Sequence, residues 1–574
     1  MKRAPHSHPV RYWLVLGTML AAMSLLAARA VYLQVWHSGY LQEQGNARHL
    51  RVVEDVSHRG MILDRNGEPL AISTPVDSVW ANPAELDLAH AQWPALMRLL
   101  DLSRQELAGQ INKNSGREFM YLKRHVRPEL AEQVMALKIP GVALQKEYRR
   151  YYPAGAMAGH VVGFTNVDDQ GQEGLELAYD AWLRAVPGKK RILKDRLGNV
   201  VETVESVTLP VPGKDLTISL DRRIQYLAYR ELKAAVAAHG AHGGSAVVMD
   251  ARTGEVIAMV NEPGFNPNNR TYLRSSLFRN RAVTDVFEPG STVKPFTVAA
   301  ALESGKFLPN TPVETAPGSY KVGEYFIRDA RDYGRLTVAE VIEKSSNVGA
   351  SKISLALNKS AMWRMFHAVG FGDYTGAELP GESAGRFTSA KSWVPIEQAT
   401  LSFGYGLSVT PLQLARAYTA LANNGILMPV TLLRRDTEVK GQRAMKETNA
   451  RAIRRMLEMA VSKGGTGAAA RVMHYRVAGK TGTVHKLGRD GYAENAYVAS
   501  FAGFAPASDP RLIMVVTIDQ PARGGYFGGQ AAAPVFSKVM SGALRLLNIP
   551  LDEPYGPALD PIPKVVQAAS EGVT

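Results

Sequence analysis

The longest apolar run of the chain lies near its N-terminus. Residues Tyr12–Ala28 carry no charge, and apolar residues continue past Arg29 to Trp36. A helix of seventeen such residues spans about 25 Å, the lower limit for crossing a bilayer. The basic leader over residues 1–11 predicts a cytoplasmic N-terminus, an anchor over 12–36 and an external remainder. The alternative is a signal peptide cleaved at Ala28–Ala30, which the length of the run and Arg29 disfavour.

Further along, the spacing of apolar residues switches between helical and strand periods. Arg222–Ala238 places Ile224, Ala228 and Leu232 on one helix face, which predicts a helix. Hairpins and helices at opposite ends of one segment predict an α/β (α+β) fold, an antiparallel sheet covered by helices. The other predicted elements are the strands Ser245–Met249, Val256–Val260, Tyr497–Phe504 and Leu512–Ile518 and a closing helix Ala533–Asn548.

Turn residues suggest where the domains end. Residues 37–215 form a mixed segment of short strands, with a hairpin turn at Asn66-Gly67. Val211-Pro212-Gly213 is a plausible boundary, which predicts a non-catalytic domain over 37–215 and a second domain over 216–550. Residues 551–574 are rich in Pro, Gly and scattered charge and are predicted to form a loose tail.

Composition narrows the chemistry. The chain of 574 residues has no cysteine, and its 13 histidines include no His-Glu-x-x-His motif. Neither disulfides, thiol nucleophiles nor a zincin-type metal site is therefore predicted, and no cofactor is expected. The net charge of +14 favours an anionic surrounding. Because no RNA-recognition, zinc-finger or basic-zipper pattern occurs, we do not expect nucleic acid to be the partner.

Ser291 and Lys294 are the first candidate catalytic pair. They open the apolar run Val298–Leu302, and their spacing of three places both side chains on one helix face. A serine at a helix start is most often a simple N-cap. A Ser-x-x-Lys match is expected about twice by chance in a chain of this length, so the pair alone is weak evidence.

Two further motifs strengthen this pair. Ser345-Ser346-Asn347 and Lys480-Thr481-Gly482-Thr483 each occur once, 54 residues after Ser291 and 135 residues after Ser345. The ordered triple Ser-x-x-Lys, Ser-x-Asn, Lys-Thr-Gly is typical of penicillin-binding proteins and class A β-lactamases. The order and uniqueness of the set make it a strong signal for acyl transfer.

The residue types suit that chemistry. A serine hydroxyl needs a base, and a lysine with its ordinary pKa of ~10.4 is almost wholly charged at neutral pH. If Lys294 and Lys480 share a cleft, repulsion and burial would lower one pKa and supply the base. Ser345 and Asn347 are candidates for proton relay and substrate binding. Lys480, Thr481 and Thr483 would hold a substrate carboxylate, and the N–H groups of Ser291 and Thr483 an oxyanion.

Two motifs are rejected. Gly381–Gly385 matches the Gly-x-Ser-x-Gly elbow of hydrolases, but no β-branched strand precedes it and no helix pattern follows. Gly479-Lys480-Thr481 resembles the end of a P-loop, but His474 stands where the first glycine is required. We expect a loop at the first motif and no phosphate binding at the second.

Longer runs of residues resemble the class B penicillin-binding proteins, and most closely the septal, FtsI-type transpeptidases. They cover nearly the whole chain after the anchor. The resemblance rests on the runs His58–Ala71, Tyr148–Pro153, Gly174–Glu176, Val286–Ser291, Lys344–Gly349, Ser402–Gly406 and Tyr526–Gly529.

The resemblance implies a penicillin-recognising transpeptidase fold behind a partner-docking pedestal or dimerisation-type domain. Ser291 would be acylated by the penultimate D-Ala of a peptidoglycan stem peptide, and β-lactams would acylate the same serine. A partner glycosyltransferase of FtsW type, other division proteins and a periplasmic catalytic domain anchored in the inner membrane are also implied. The substrate- and β-lactam-binding set would be Ser346, Tyr405, Thr481, Gly482, Thr483, His485, Tyr497, Tyr526 and Phe527.

His485 departs from the family pattern, because relatives often carry Lys or Arg at this position. A histidine is charged only below about pH 6.5, so we hypothesise stronger cleft binding in acid. An acylation rate that stays flat from pH 5 to 8 would contradict this. Ordinary packing in the protein core is an equally good explanation for each of the other four aromatic residues, Tyr405, Tyr497, Tyr526 and Phe527.

Several other functions remain open. An elongation-type transpeptidase and a D,D-carboxypeptidase would share the same motifs. A β-lactamase would need an efficient deacylating water and gains nothing from an anchor and a pedestal. A non-enzymatic penicillin sensor would need a cytoplasmic output module, for which about 11 residues precede the anchor.

Overall fold

The computed structural model describes residues 9–40, 50–86, 90–194, 200–269, 274–488 and 491–553. The chain forms two compact units, which interleave along the sequence. The smaller unit comprises Met1–His58, Thr74–Arg149 and Ala185–Gly213, and the larger comprises Arg59–Ser73, Arg150–Arg184 and Lys214–Thr574. Two stretches upstream of residue 215 thus belong to the same unit as the C-terminal part of the chain. Most of the predicted tail, from residue 554 onward, lies outside the described residues.

The predicted apolar helix is present. It runs from Pro9 to Val31 and continues as a π-helix over Tyr32–Trp36. Within the described ranges, it is the one helix long and apolar enough to cross a membrane, and the apolar window that qualifies it is not buried in the protein. Residues 1–8 of the predicted cytoplasmic segment lie outside the described residues.

The smaller unit contains its own core. A three-stranded antiparallel sheet pairs Gly188–Lys194 with Leu50–Asp55 on one side and Val200–Thr208 on the other. Asp77–Ala81 pairs with the strand Met120–Val126. Buried residues such as Leu96, Leu122 and Val134 form the core beside them. The helices of this unit are Trp93–Leu100, Arg104–Lys113 and Pro128–Ala136, and the strands Pro69–Ala81 and Val142–Tyr151 begin or end in it.

The larger unit is built on a five-stranded antiparallel sheet. Its strands are β1 (Gly243–Asp250), β2 (Val256–Glu262), β3 (Ala478–Gly488), β4 (Gly491–Ala505) and β5 (Leu512–Asp519). They lie in the order β2-β1-β5-β4-β3, with every neighbouring pair antiparallel. The antiparallel sheet predicted from the sequence is confirmed, and β3 is an edge strand.

Alternate residues of the sheet enter two separate cores, as the two-residue period of a strand requires. Val247 and Val515 belong to one core, and their neighbours Val248 and Val516 belong to the other. The second core is closed by the helices Arg222–His239 and Ala533–Leu546, both predicted from sequence. The remaining long helices are Lys294–Glu303, Val338–Lys344, Asn347–Leu355, Lys359–Ala368, Pro395–Leu401, Pro411–Ala422 and Glu447–Val461.

Short elements complete the larger unit. Its short strands are Ile62–Leu63, Phe164–Thr165, Gly171–Glu173, Leu216–Thr217, Pro312–Glu314, Ser319–Val322, Tyr325–Arg328, Arg335–Thr337, Ile426–Leu427 and Gln442–Arg443. Its short helices and 3₁₀ turns are Gly155–Met157, Gly159–Val162, Gly174–Ala178, Asp180–Leu183, Ser275–Phe278, Arg281–Thr284, Gly290–Val293, Ala390–Ser392, Ala468–Ala470 and Gly528–Ala531. The Asn66-Gly67 turn lies where predicted, with Gly67 at φ 86°.

Candidate active site

Ser291 lies in a 3₁₀ turn, Gly290–Val293, that leads into the buried helix Lys294–Glu303. Neither the turn nor the helix is capped by its side chain, so the N-cap alternative is wrong. The loop containing Gly404 lies directly on the turn, because the N–H of Gly290 donates to the carbonyl of Gly404 over 3.2 Å. A Cβ on Gly404 would lie 2.2 Å from the carbonyl oxygen of Gly290. The contact therefore requires a glycine.

Lys294 is fully buried and bonds to the Ser-x-Asn segment. Its Nζ donates to the carbonyl of Ser345 at 2.5 Å, to Ser345 Oγ at 3.2 Å and to Asn347 Oδ1 at 2.7 Å. The Ser345 hydroxyl is in turn 3.0 Å from Ser291 Oγ. The Ser345 hydroxyl thus bridges Ser291 and Lys294, in the position that the proton relay considered from the sequence would need.

A junction of two helices positions Ser345 and Asn347. The helix Val338–Lys344 ends at Ser345, which has left-handed backbone angles of φ 62° and ψ 36°. Ser346 then caps the helix Asn347–Leu355, its Oγ accepting from the N–H of Gly349 at 2.8 Å. The left-handed conformation of Ser345 is strained for a residue other than glycine. It turns the Ser345 hydroxyl toward both Ser291 and Lys294.

Asp329 holds this junction in place, although no sequence motif marks it. Its Oδ2 accepts from Ser346 Oγ at 2.5 Å, and its Oδ1 accepts from the N–H groups of Asn347 at 2.5 Å and Val348 at 3.1 Å. A carboxylate at a helix N-terminus stabilises the helix through these N–H groups. Its negative charge also raises the pKa of Lys294.

Burial keeps the two lysines of the site from holding a full charge. The pKa of Lys294 lies well below the ordinary value of a lysine, chiefly because of burial and then because of repulsion by Lys480. Burial lowers the pKa of Lys480 to about 7. The two lysines therefore interact within one site, and the neutral amine that acid–base chemistry needs is favoured at Lys294.

The Lys-Thr-Gly segment lies on the edge strand β3. Thr483 Oγ1 accepts from the N–H of Gly528 at 2.9 Å, and Thr481 Oγ1 donates to Thr466 Oγ1 at 3.1 Å. A Cβ on Gly482 would lie 2.4 Å from Ser500 Oγ and 2.8 Å from the carbonyl oxygen of Pro289. A strand rather than a helix follows Lys480, so the rejection of a P-loop is confirmed.

Four aromatic rings form a continuous row beside β3. The ring centroids of His485 and Tyr497 are 4.6 Å apart, those of Tyr497 and Tyr526 are 4.2 Å apart with parallel stacking, and those of Tyr526 and Phe527 are 4.5 Å apart. Tyr526 is 38% exposed and Phe527 is 52% exposed, so neither is an ordinary core residue. The Tyr405 hydroxyl accepts from the backbone N–H of His485 at 3.4 Å.

The remaining candidates fall outside this arrangement. Ser383 lies in a loop, with its Oγ accepting from the N–H of Gly385 at 3.2 Å, which confirms the loop predicted for the hydrolase-like motif.

No group of three His, Asp or Glu side chains in the described part of the chain is placed to share a metal ion. Sequence reasoning gave no role to Asp329, Glu288 or Tyr492. Glu288 lies in the run Val286–Ser291 that carries the resemblance, whereas Asp329 and Tyr492 belong to no recognised motif.

Comparisons with known proteins agree with this geometry. Residues 244–541 match the family of the penicillin-binding protein transpeptidase domain, and residues 54–218 match the penicillin-binding protein dimerisation domain. The chain belongs to the class B penicillin-binding proteins. This family uses a serine acyl-enzyme and binds β-lactams, so the enzyme class expected from the three motifs is confirmed.

Relatives and solved structures extend over most of the chain. The peptidoglycan D,D-transpeptidase FtsI of Escherichia coli is 44% identical over 94% of this penicillin-binding protein and 92% of its own length. The probable transpeptidase PenA of Neisseria gonorrhoeae is 42% identical over 96% and 95% of the two chains.

Among solved structures, penicillin-binding protein 3 of Mycobacterium tuberculosis with aztreonam is 28% identical. It has a TM-score of 0.68 and covers 88% of this chain and 99% of its own. The transpeptidase domain of Burkholderia pseudomallei penicillin-binding protein 3 is 46% identical, with a TM-score of 0.55 over 59% and 98% of the two chains. These likenesses confirm the transpeptidase fold.

Proposed function

We propose that Ser291 is the nucleophile and Lys294 the base of this protein, which is a peptidoglycan D,D-transpeptidase. The observation that carries the proposal is the network in which the Ser345 hydroxyl lies 3.0 Å from Ser291 Oγ and 3.2 Å from Lys294 Nζ. A neutral Lys294 draws a proton through Ser345 as Ser291 Oγ bonds to the carbonyl carbon of the penultimate D-Ala. A base placed this way satisfies the geometric requirement for activating a serine.

The charge and protons of this step are balanced by groups at the same site. The backbone N–H groups of Ser291 and Thr483 stabilise the oxyanion of the tetrahedral intermediate. When the C–N bond breaks, the proton held by Lys294 returns through Ser345 to the amine of the leaving D-Ala. The amine of a second stem peptide then attacks the ester carbonyl carbon and gives up a proton by the same route. The bond between that carbon and Ser291 Oγ breaks, the proton passes through Ser345 to Ser291 Oγ, and the new amide bond is the cross-link.

Substrate recognition falls to β3 and to the aromatic row. Thr481, Gly482 and Thr483, with the positive charge of Lys480 when it is protonated, suit the terminal carboxylate of the stem peptide or of a β-lactam. Asn347 lies at the start of the helix that follows Ser345. Ser346, a candidate for ligand binding from the sequence, is buried and bonds to Asp329 and Gly349 instead. Tyr405, His485, Tyr497, Tyr526 and Phe527 form the wall against which the apolar part of the ligand packs.

Intact-mass analysis of the full-length chain in detergent with benzylpenicillin tests the nucleophile. We expect one lasting adduct that maps to Ser291 and is lost in Ser291→Ala. Ser383→Ala is the matched control, because Ser383 belongs to the rejected hydrolase-like motif, and it keeps the adduct. An adduct that survives in Ser291→Ala contradicts the proposal. Rapid drug turnover without an adduct indicates a β-lactamase instead.

We further propose that the enzyme acts in septal wall synthesis, with the catalytic unit in the periplasm. The apolar helix Pro9–Trp36 and the FtsI relatives support a single-pass inner-membrane protein. An FtsW-type glycosyltransferase and other division proteins would be its partners. A fluorescent fusion should concentrate at the division site, and protease added to spheroplasts should degrade the catalytic unit. A uniform lateral signal would favour the elongation-type alternative.

A further inference from the structure

We propose that Glu288 is a positioning residue of the cleft, which ties Tyr492 and the hairpin around it to the turn that carries Ser291. The inference rests on the proposed function, since it concerns how the same cleft receives its ligand. Glu288 lies in the segment Glu288-Pro289-Gly290-Ser291, while Tyr492 is the second residue of β4, which pairs with β3. The two residues are separated by 204 positions, so only the fold brings them together.

One carboxylate oxygen makes both bonds. Glu288 Oε1 accepts from the Tyr492 hydroxyl at 3.0 Å and from the N–H of Gly406 at 2.8 Å. Gly406 belongs to the loop that packs on the nucleophile turn through Gly404 and Gly290. The carboxylate therefore joins three segments: the start of the nucleophile turn, the glycine-rich loop and the hairpin of β3 and β4.

Contacts from Tyr492 lead on to the ligand-facing row. The Tyr492 ring makes an edge-to-face contact with Tyr405 at 5.5 Å, and the Tyr405 hydroxyl accepts from the N–H of His485. Ala493, the residue after Tyr492, accepts through its carbonyl from His485 Nδ1 at 3.0 Å. His485 then packs on Tyr497. The hydrogen bond between Tyr492 and Glu288 therefore helps to position His485, the first residue of the aromatic row.

The electrostatics explain why the phenol matters. Burial raises the pKa of Glu288, and its Oε2 is buried without a hydrogen-bond partner. No Lys, Arg or His nitrogen of the described chain lies within 4 Å of this carboxylate to form an ion pair, and Lys486 on the same hairpin is held by Asp519 at 2.7 Å. The groups that face Glu288 are Tyr492, Tyr405 and the N–H of Gly406. Glu288 is half-buried, and removing one of the two donors from such a carboxylate costs more than removing a neutral hydrogen bond.

The test is the kinetics of β-lactam acylation in the full-length chain in detergent, using a chromogenic cephalosporin. Tyr492→Phe keeps the ring and removes only the hydroxyl. We expect roughly tenfold weaker cephalosporin binding before acylation, with the limiting acylation rate unchanged because the bonds among Ser291, Ser345 and Lys294 are untouched. Glu288→Gln keeps an acceptor for the Tyr492 hydroxyl and should weaken cephalosporin binding less than Tyr492→Phe does. Tyr325→Phe, on an exposed tyrosine of another hairpin, is the matched control and should match the wild type.

Two further comparisons separate positioning from a general loss of stability. If the two residues act as one tie, the double variant Glu288→Gln with Tyr492→Phe binds no more weakly than Tyr492→Phe alone. The advantage of the wild type over Tyr492→Phe should shrink from about pH 8 to pH 5, as Glu288 takes up a proton. Wild-type binding by Tyr492→Phe, or effects that multiply in the double variant, would overturn the inference. If the wild type itself forms no adduct at Ser291, the proposed function fails instead.

Discussion

At the scale of single residues, the proposed chemistry depends on lysines that burial keeps largely neutral. Lys294 and Lys480 are both fully buried, and neither forms an ion pair with a carboxylate of the described residues. A charged lysine in such a place loses its hydration, and no paired carboxylate offsets that loss. Asp329 acts in the opposite direction, because its carboxylate raises the pKa of Lys294. Burial and the charge of Lys480 thus lower the pKa of Lys294, while the charge of Asp329 raises it.

That balance gives opposite predictions for two substitutions. Asp329→Asn removes the anion, lowers the pKa of Lys294 further and moves the acid limb of the acylation profile to lower pH. Lys480→Met removes the repelling cation, raises the pKa of Lys294 and moves the acid limb to higher pH. The measurement is the rate of penicillin acylation between about pH 5 and pH 9.

Maximal rates should fall in both variants, because Asp329 also holds the Ser346 junction and Lys480 is the residue proposed to hold the ligand carboxylate. The position of the acid limb is therefore the deciding readout. Asp332→Asn, a change at a nearby exposed acid, is the control and should leave the profile unmoved. Shifts of the same sign in the two variants would contradict the assignment of Lys294 as the base.

At the scale of elements, the site is assembled from three places where regular structure begins or ends. The 3₁₀ turn before the helix Lys294–Glu303 carries Ser291, the junction at Ser345 carries the relay hydroxyl, and the edge strand β3 carries Lys480. The 3₁₀ turn is held in place by close contact between the backbones of Gly290 and Gly404. Gly404, at φ 89°, leaves no room for a side chain against Gly290.

A methyl group at that position should therefore disrupt the site. Gly404→Ala would place a Cβ 2.2 Å from the carbonyl oxygen of Gly290, so the loop must move away from the nucleophile turn. We expect acylation to fall by at least about tenfold, on top of the ~1–2 kcal/mol that a positive φ costs alanine. Gly305→Ala is the matched control, because Gly305 also has a positive φ of 71° but no atom within 4 Å of the added Cβ. Equal acylation rates in the two variants would show that the contact does not matter.

At the scale of the whole molecule, a buried charge cluster joins distant stretches of the larger unit. Glu176 accepts from Arg59 Nε and Arg150 Nε, both at 2.7 Å, and all three side chains are buried. Arg59 also donates to Asp180 at 2.7 Å. Because a buried charge needs its partners, this cluster holds the stretches Arg59–Ser73 and Arg150–Arg184 together within the larger unit.

Glu176→Gln should reveal the contribution of the cluster to stability. The change leaves two buried guanidinium groups without their shared carboxylate, and we expect the free energy of unfolding of the larger unit to fall by about 3–5 kcal/mol. Glu68→Gln, which breaks the exposed pair with Arg222 in the same unit, should cost less than about 1 kcal/mol. Thermal unfolding monitored by tryptophan fluorescence compares the two. A similar small loss in both variants would mean that the buried cluster adds little.

The elements of the larger unit were largely predictable, and the support of its site was not. The sheet strands and the helices Arg222–His239 and Ala533–Leu546 follow from local spacing of apolar residues, because each exposes a repeating face to a core. Asp329 could not be found this way, since it bonds to a helix start 17 to 19 positions away along the chain. The pairing of Arg59 and Arg150 with Glu176 could not be found this way either, because these residues lie 26 to 117 positions apart along the chain.

The sequence by itself determined the chemical groups available, their order in three motifs, the apolar N-terminal helix and the antiparallel sheet. Each of these is encoded within a few neighbouring residues, where spacing and residue type suffice. Only the tertiary structure decided that the Ser345 hydroxyl lies between Ser291 and Lys294. It also decided that Asp329 and Lys480 shift the pKa of Lys294 in opposite directions and that Tyr492 donates a hydrogen bond to Glu288. Hydrogen bonds and charge effects act over a few ångströms in space, whatever the distance along the chain, so the packing of elements far apart in sequence determines them.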